Sequence, residues 1–220
     1  MKIGILGTGM VGAALGSKLA SLGHSVMMGS RTPGNAKALE WTDKTGSNAS
    51  AGTFSDAAFY GEIIFLCVNG AAALEAVKIA GKENLRNKTV VDVTNPLDFS
   101  KGMPPTLIPD LTNTNSLGEE IQKALPESKI VKSLNTVNCA VMTEPSRLSE
   151  ETEIYLCGND TESKNKVREI LESFGWKRIT DLGGIAASRG TEMMMPFWLS
   201  LWGSLKTGIF NLKIVKEKSI

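Results

Sequence analysis

The first thirty residues constrain this chain most, because a strand, a glycine turn and a helix follow one another there without a gap. Lys2 to Leu6 is a short, mostly apolar run that predicts a buried parallel strand. In the next six residues, Gly7-Thr8-Gly9-Met10-Val11-Gly12, three glycines have the spacing of a dinucleotide-binding turn. The first glycine allows the tight turn, the second lets backbone approach a pyrophosphate, and the third lets the helix pack on the strand.

The residues after this turn support the same interpretation. Small and apolar residues recur at helical spacing up to Ala20, and Gly23 is placed to end the helix. A second strand, Ser25 to Met28, begins where a strand–helix–strand unit requires it. The unpaired N–H groups at the start of such a helix bind phosphate without a charged side chain. We therefore predict dinucleotide binding by residues 7–12; the alternative is a glycine-rich turn without a ligand.

The residues that follow the second strand indicate which nucleotide is preferred. A site specific for NAD usually has Asp or Glu there to bind the ribose 2′-hydroxyl, whereas this chain has Gly29-Ser30-Arg31. Ser30 can donate a hydrogen bond to a 2′-phosphate, Arg31 can pair with it, and Lys37 on the following helix can add positive charge. The sequence therefore predicts NADP; the alternative for Arg31 is a solvated surface arginine.

Strand and helix patterns alternate along most of the chain. The alternation predicts an α/β fold, a mostly parallel sheet covered by helices on both faces, with its ligand at the carboxyl edge of the strands. The sheet reaches eight strands if every apolar run forms one. The six runs after the second strand are 49–54, 62–68, 89–93, 129–134, 153–157 and 176–179.

Two segments depart from this alternation. Leu97 to Leu117 is mostly loop, and we weigh a lid or substrate wall against an uninvolved excursion. The chain is therefore divided into a nucleotide-binding domain, 1–183, and a C-terminal helical segment, 184–220. Helical spacing over 185–205 predicts one apolar face that packs in the core or in a dimer, the alternative being an aromatic cofactor box. That face comprises Met194, Trp198, Leu201, Trp202 and Leu205.

Composition limits the partners and the compartment. The net charge of +1 over 220 residues gives no reason to expect nucleic acid or a membrane surface as a partner. The three cysteines, at 67, 139 and 157, are far apart and form no metal-binding motif, so we expect a reducing compartment and no metal. We find no signal-peptide pattern, and the apolar run from Met193 to Leu205 is too short to span a bilayer. These features predict a cytoplasmic protein.

No residue has the pattern of an acid–base catalyst. The single histidine, His24, lies at the edge of the sheet opposite the predicted cofactor, and Asp92 and Lys132 lie inside strands, where burial or pairing is expected. Without such a residue, an acceptor that takes hydride directly onto a ring is favoured, because positioning two rings is then most of the catalysis. A flavin-like acceptor fits; Lys101 or a water molecule could also supply a proton.

At the level of family, the chain resembles the NADP oxidoreductases that depend on the deazaflavin coenzyme F-420, together with the bacterial proteins grouped with them. The resemblance covers most of the chain. Its motifs are Gly7–Gly12, Gly29–Arg31, Asn95–Pro96, Ser133–Val137, Cys157–Asp160 and Asp181–Gly183.

The resemblance implies a Rossmann-like domain, a homodimer, NADP as cofactor, and direct hydride exchange between nicotinamide and a deazaflavin. It further implies that Val68 and Asn69 line the cofactor and that Asn95 and Pro96 lie near its nicotinamide half. The acceptor pocket would be bordered by Asn135, Thr136 and Val137.

Two departures concern the acceptor. Archaeal members of the family have a histidine at the position of Asn135, and their loop after Pro96 is shorter than Leu97 to Leu117. A deazaflavin, a flavin and a quinone-like compound therefore all stay open as acceptors. Two other hypotheses are a reductase of small imine or carbonyl substrates, with Lys101, Lys132 or water as proton source, and a non-catalytic NADP(H) sensor.

Overall fold

The structure is a computed structural model and describes residues 1–217. Its strands are β1 Lys2–Leu6, β2 Ser25–Ser30, β3 Ala49–Thr53, β4 Ile63–Leu66, β5 Thr89–Asp92, β6 Leu97–Asp98, β7 Thr106–Leu107, β8 Lys129–Ser133, β9 Glu153–Gly158 and β10 Arg178–Asp181. Its α-helices are α1 Met10–Ser21, α2 Ala36–Thr45, α3 Phe54–Tyr60, α4 Ala73–Ala80, α5 Lys82–Leu85, α6 Leu117–Ala124, α7 Cys139–Thr143, α8 Thr161–Ser173, α9 Ser188–Met193 and α10 Met195–Leu205.

Eight of these strands form one sheet, in the order β10-β9-β8-β5-β4-β1-β2-β3. All neighbours are parallel except β8 and β9, which pair antiparallel through Val131–Gly158, Lys132–Cys157 and Ser133–Leu156. The predicted eight-stranded, mostly parallel α/β sheet is thereby confirmed. The direction of winding reverses between β1 and β4, so a crevice opens beyond the carboxyl ends of these two strands, where ligands bind in such sheets.

Close packing of α1 on the glycine turn explains why two glycines are required. A Cβ at Gly12 would lie 2.2 Å from the carbonyl oxygen of Gly7, and a Cβ at Gly16 would lie 2.8 Å from the Trp41 ring. Neither position can accept a side chain without moving the helix. The third glycine of the turn therefore has the packing role that its spacing predicts.

Side chains at the helix starts fix where the cleft-facing helices begin. Asn35 accepts a hydrogen bond from the backbone N–H of Ala38 and caps α2, as its position predicts. Thr53 and Asp56 form a reciprocal capping box at α3, directly after β3. Both helices therefore start at the carboxyl edge of the sheet, beside the crevice.

The structure corrects two sequence predictions of secondary structure. The last strand is Arg178–Asp181, two residues later than predicted. The segment after Pro96 is mostly loop, as predicted, and β6 and β7 pair antiparallel within it. The single terminal helix is wrong: a 3-10 turn precedes α9, and α10 begins anew after Met194, with Pro196 in its first turn, where the missing N–H costs no hydrogen bond.

The predicted apolar face of the terminal helix is divided between the interior and the surface of the chain. Trp198 is buried as expected, but Trp202 and Leu205 are 41% and 54% exposed. The buried neighbours of Trp198 are Met195 and Leu199, which pack with Leu97 and Leu107 of the β6–β7 hairpin and with Phe210 of the tail. The rings of Trp198 and Phe210 stack at 5.1 Å. Hairpin, helix and tail thus share one small apolar cluster beside the main core.

Candidate functional site

A cleft of about 580 Å³ lies at the carboxyl edge where the winding reverses. Its walls come from the glycine turn, from the end of β2 and the start of α2, and from the β4–α4 connection. The lining residues are Gly7, Thr8, Gly9, Ser30, Arg31, Thr32, Asn35, Phe54, Cys67, Val68, Asn69, Ala72, Glu75, Ala76 and Ile79.

The glycine turn provides open space and unpaired backbone donors. Gly7 has a φ of +132°, and a Cβ there would lie 2.5 Å from the carbonyl oxygen of Cys67, so the turn is tight. The space beside Gly9 is open, because a Cβ there would meet no atom within 4 Å. Gly9 is also the N-cap of α1, whose first N–H groups, from Met10 to Gly12, have no carbonyl to bind within the helix. This geometry can hold a pyrophosphate.

Arg31 and its neighbours form the end of the cleft nearest β2. Arg31 lines the cleft, is exposed, and has no ion-pair partner within residues 1–217. Ser30 is buried, and its hydroxyl donates to the carbonyl of Thr32, so its proton is already engaged in the turn. Thr32 and Asn35 also line the cleft, whereas Lys37 is exposed and lies outside the lining. Among residues 1–217, Arg31 is therefore the cation without an ion-pair partner that lines this end of the cleft.

Sequence reasoning missed the opposite wall, which is the face of α4. Ala72, Ala76 and Ile79 line the cleft together with the exposed carboxylate of Glu75. The spacing of the two alanines, one helical turn apart, was a usable signal, because small residues let a flat group approach a helix. Val68 and Asn69, by contrast, lie where they were expected, in the cleft.

Three loops meet tightly at the carboxyl edge beyond this cleft. Asn95 donates from its side-chain amide to the carbonyl of Asn135 at 2.8 Å, and the amide of Asn135 donates to Asn95 Oδ1 at 2.9 Å. A Cβ at Gly70 would lie 1.9 Å from the carbonyl oxygen of Asn95, so the loop after β4 touches the same residue. Pro96 is buried next to this pair. None of these residues lines the 580 Å³ cleft.

The three residues expected at the acceptor pocket are nearly inaccessible. Asn135, Thr136 and Val137 are 4%, 3% and 5% exposed, and Val137 packs in the main core. Thr136 Oγ1 is buried and has no hydrogen-bond partner within residues 1–217. A buried hydroxyl without a partner is uncommon in proteins.

A buried cluster of charges lies directly beneath these loops. The ammonium of Lys132 contacts Asp92 Oδ2 at 2.9 Å and Glu192 Oε1 at 2.8 Å, and all three side chains are at most 1% exposed. Burial alone lowers the pKa of Lys132, but the two carboxylates outweigh it, so the pKa is raised above its usual value. The predicted burial or pairing of Asp92 and Lys132 is confirmed, and Lys132 is sealed from the cleft.

The remaining candidate groups are away from the chemistry or unreactive. His24 lies at the amino end of β2, and burial and the N-terminal ammonium lower its pKa. Burial raises the pKa of the Cys67 thiol, and raises that of Cys157 to about 12. Both thiols therefore remain protonated at neutral pH, as expected for packed cysteines.

Residues 1–217 contain no group of three His, Cys, Asp or Glu side chains arranged to hold a metal ion. Within the same range, no helix is both long and apolar enough to cross a membrane.

Comparison with known proteins identifies relatives of this chain. The family described as "NADP oxidoreductase coenzyme F420-dependent" matches residues 2–96. A solved structure from Arthrobacter sp. FB24, described as a candidate F420-dependent NADP reductase, superposes with a TM-score of 0.93 at 43% identity, covering 98% of this chain and all of that one. The chain is also 26% identical to metalloreductase STEAP3 of Rattus norvegicus, covering 90% of this chain but 38% of that protein.

The F420-dependent NADP reductase of Methanocaldococcus jannaschii is 33% identical over 230 residues. The match covers 97% of this chain and the whole of that relative. This chain therefore belongs to the family of F420-dependent NADP reductases.

Proposed function

We propose that this protein transfers a hydride between NADP(H) and a deazaflavin- or flavin-type acceptor. The observation that carries the proposal is the open space beside Gly9, which faces the N-terminus of α1 at one end of a cleft whose other end holds the unpaired Arg31. Its dimensions and donors suit a nucleotide that carries a pyrophosphate and a further phosphate. The family relationship supports the same cofactor.

The proposed binding roles follow from these contacts. Backbone N–H groups of residues 7–12 hold the pyrophosphate. Arg31 pairs with the 2′-phosphate, helped by Thr32, with Ser30 shaping the turn and Lys37 adding charge nearby. Val68 and Asn69 contact the middle of the cofactor. The nicotinamide half lies towards Asn95 and Pro96, and the acceptor borders Asn135, Thr136 and Val137.

The protein's contribution to the reaction is positioning. When bound, the nicotinamide supplies or accepts the hydride, and this exchange between two rings needs no proton from the chain. Among residues 1–217, no His, Lys or Tyr lines the cleft, and these are the usual proton donors of alcohol dehydrogenation. Lys132, one proton source considered for an imine or carbonyl substrate, is buried in its ion cluster. The side chains therefore orient two rings and exclude water.

The direct test is anaerobic mixing of the protein with NADPH and the oxidised deazaflavin coenzyme, with FMN as a parallel acceptor. We expect the absorbance of NADPH and of the deazaflavin to fall together. Saturable NADPH binding without reduction of either acceptor would contradict the proposal and favour a nucleotide sensor, which would change its assembly state when NADPH binds.

Replacing Arg31 by alanine tests the preference for NADP. A hydrogen bond to a charged group contributes about 1.5–3 kcal/mol, so NADPH should bind roughly 10- to 150-fold more weakly. NADH lacks the 2′-phosphate, and its dissociation constant should barely change. Titration of both nucleotides by fluorescence measures the two constants; equal losses would rule out a contact to the 2′-phosphate.

We further propose that the protein is a cytoplasmic homodimer in which residues 1–183 bind the nucleotide and 184–220 form the dimer contact and help to enclose the acceptor. The last three residues lie outside those described. Support comes from large apolar side chains left exposed on α10, Phe197, Trp202 and Leu205. Analytical ultracentrifugation should give twice the chain mass of 23.5 kDa, and a single-chain mass at micromolar concentration would contradict the dimer.

A further inference from the structure

We propose that Lys132 is a positioning residue for hydride transfer: its ammonium fixes the two loops on which the acceptor and nicotinamide are oriented. These loops, residues 94–96 and 134–136, are called here the acceptor platform. The proposal rests on the proposed function, because it assigns the platform to that reaction. Lys132 itself contacts no substrate and acts through Thr94.

All three protons of the Lys132 ammonium are engaged by groups of the protein. Its three protons go to Asp92 Oδ2, to Glu192 Oε1 and to the backbone carbonyl of Thr94. An ammonium has three donors, so none is left for solvent or for a ligand. One of the three is spent on the platform backbone, and the two carboxylates hold the ammonium at that place.

The same cluster also binds the N–H and the hydroxyl of Thr94. Asp92 Oδ1 accepts the backbone N–H of Thr94 at 2.9 Å and its hydroxyl at 2.7 Å. The N–H, the hydroxyl and the carbonyl of Thr94 are therefore all bound within one buried group of charges. Such charge-assisted hydrogen bonds are about twice as strong as neutral ones, so this residue has little freedom to move.

The position of Thr94 is linked to the second loop of the platform, residues 134–136, through Asn95. The side chain of the next residue, Asn95, donates to the backbone carbonyl of Asn135 and accepts from the Asn135 side-chain amide. The backbone carbonyl of Asn95 packs against Gly70. Beside Asn135 lies the unpartnered hydroxyl of Thr136. A displacement of Thr94 would therefore move the residues proposed to face the nicotinamide and the acceptor.

The cluster also includes a side chain of the C-terminal segment. Glu192 on α9 accepts the backbone N–H groups of Leu117 at 2.8 Å and Gly118 at 3.0 Å, at the start of α6. Lys132 thus joins β5, β8 and α9 at one point. The Lys132 ammonium therefore contacts both the nucleotide-binding domain, through Asp92, and the C-terminal segment, through Glu192.

Stability alone does not account for the cluster. Apolar residues of similar volume can often replace a buried ion group with neutral or favourable effect on stability. Unlike apolar packing, the hydrogen bonds of the cluster are directional, and they fix the orientation of the backbone at Thr94. For hydride transfer this matters, since displacing a reacting group by about 1 Å can cost roughly 100-fold in rate.

The test compares full-length variants in single-turnover mixing of NADPH with the oxidised deazaflavin coenzyme. Lys132→Met should slow hydride transfer by about 100-fold and leave NADPH affinity within about threefold. The matched control is Thr89→Val, which removes a buried hydrogen bond to Ser163 (2.9 Å) at the amino end of β5, far from the platform. Its transfer rate should stay within about threefold of the wild type.

A second readout does not depend on the acceptor. Amide hydrogen exchange in residues 94–96 and 134–136 should be faster in Lys132→Met and unchanged in Thr89→Val. If Lys132→Met does not fold, Lys132→Met with Glu192→Gln replaces it, because this pair keeps the buried net charge at −1 while removing the ammonium.

The outcomes separate the two proposals. Lys132→Met with wild-type transfer and wild-type exchange would overturn the positioning role, as would an equal loss of rate in Thr89→Val, which would show a general effect of destabilisation. A wild-type protein that reduces no acceptor would overturn the proposed function instead. The role of Lys132 in fixing the loops would then be decided by the exchange measurement.

Discussion

Replacing Gly9 by valine is expected to abolish tight binding of NADPH and NADH alike while leaving the fold intact. Gly9 has φ −80° and ψ −178°, an extended conformation that valine adopts readily, and an added Cβ meets no protein atom within 4 Å. The valine side chain would therefore fill the space proposed for the pyrophosphate. Losing two charge-assisted backbone hydrogen bonds, each worth about 1.5–3 kcal/mol, predicts a loss of at least roughly 100-fold.

Isothermal titration with each nucleotide measures this effect, and thermal unfolding checks the fold. Gly190→Val is the matched control, because Gly190 is exposed on α9 with equally open space for a Cβ and lies outside the cleft. Its nucleotide affinity should equal that of the wild type. If Gly9→Val bound NADPH normally, the pyrophosphate would have to lie elsewhere, and the assignment of the glycine turn would be wrong.

Replacing Glu192 by alanine is expected to destabilise the protein by about 3–5 kcal/mol, the usual effect of removing one partner from a buried ion group. The change removes one of the two carboxylates that hold Lys132 and leaves the N–H groups of Leu117 and Gly118 without their acceptor. For a chain of this size the melting temperature should fall by roughly 6–20 °C.

Thermal and urea unfolding of the two forms provide the measurement. Glu40→Ala on α2 is the control, because Glu40 is 64% exposed and pairs only with Lys44, one turn away on the surface. An exposed pair of this kind contributes at most about 1 kcal/mol. Similar losses in the two variants would mean that the buried cluster has no special importance for stability.

The sequence patterns that predicted the fold correctly were local. β4 and β5 are buried along their length, β1 and β8 are buried after an exposed first lysine, and the glycine spacing lies within one continuous turn. Asn35 caps α2 from three residues away. In each case the determining interactions lie within a few residues or within one alternating unit, so spacing alone carries the information.

The predictions that failed depended on contacts between distant residues. The antiparallel pairing of β9 with β8 is consistent with a mostly parallel sheet, but the sequence did not predict which strands would pair in this way, because the pairing leaves no trace in either strand's own composition. The break between α9 and α10 combines a local cause, Pro196, with packing of Met195 and Trp198 against the hairpin. The local sequence over 185–205 shows Pro196, but it does not show the packing against the hairpin.

The same distinction holds for the site. Gly7, Gly9 and Arg31 were predicted because their neighbours in sequence define a turn, and they line one cleft. The face of α4 and the partner of Lys132 on α9 were not predicted, because these groups meet residues far away in the sequence; Lys132 and Glu192 are 60 positions apart. The hydroxyl of Ser30 was assigned to a phosphate, whereas it binds Thr32 two residues away, a local alternative typical of serine in turns.

The buried contact between Lys132 and Glu192 also determines when the chain can finish folding during synthesis. β1 to β5 are complete within the first 92 residues and are neighbours in the sheet, in the order β5-β4-β1-β2-β3, so this half can form early. Glu192 leaves the ribosome only after all strands of the sheet. Until then the start of α6 lacks its acceptor and Lys132 contacts one carboxylate, so α9 is needed to complete the core.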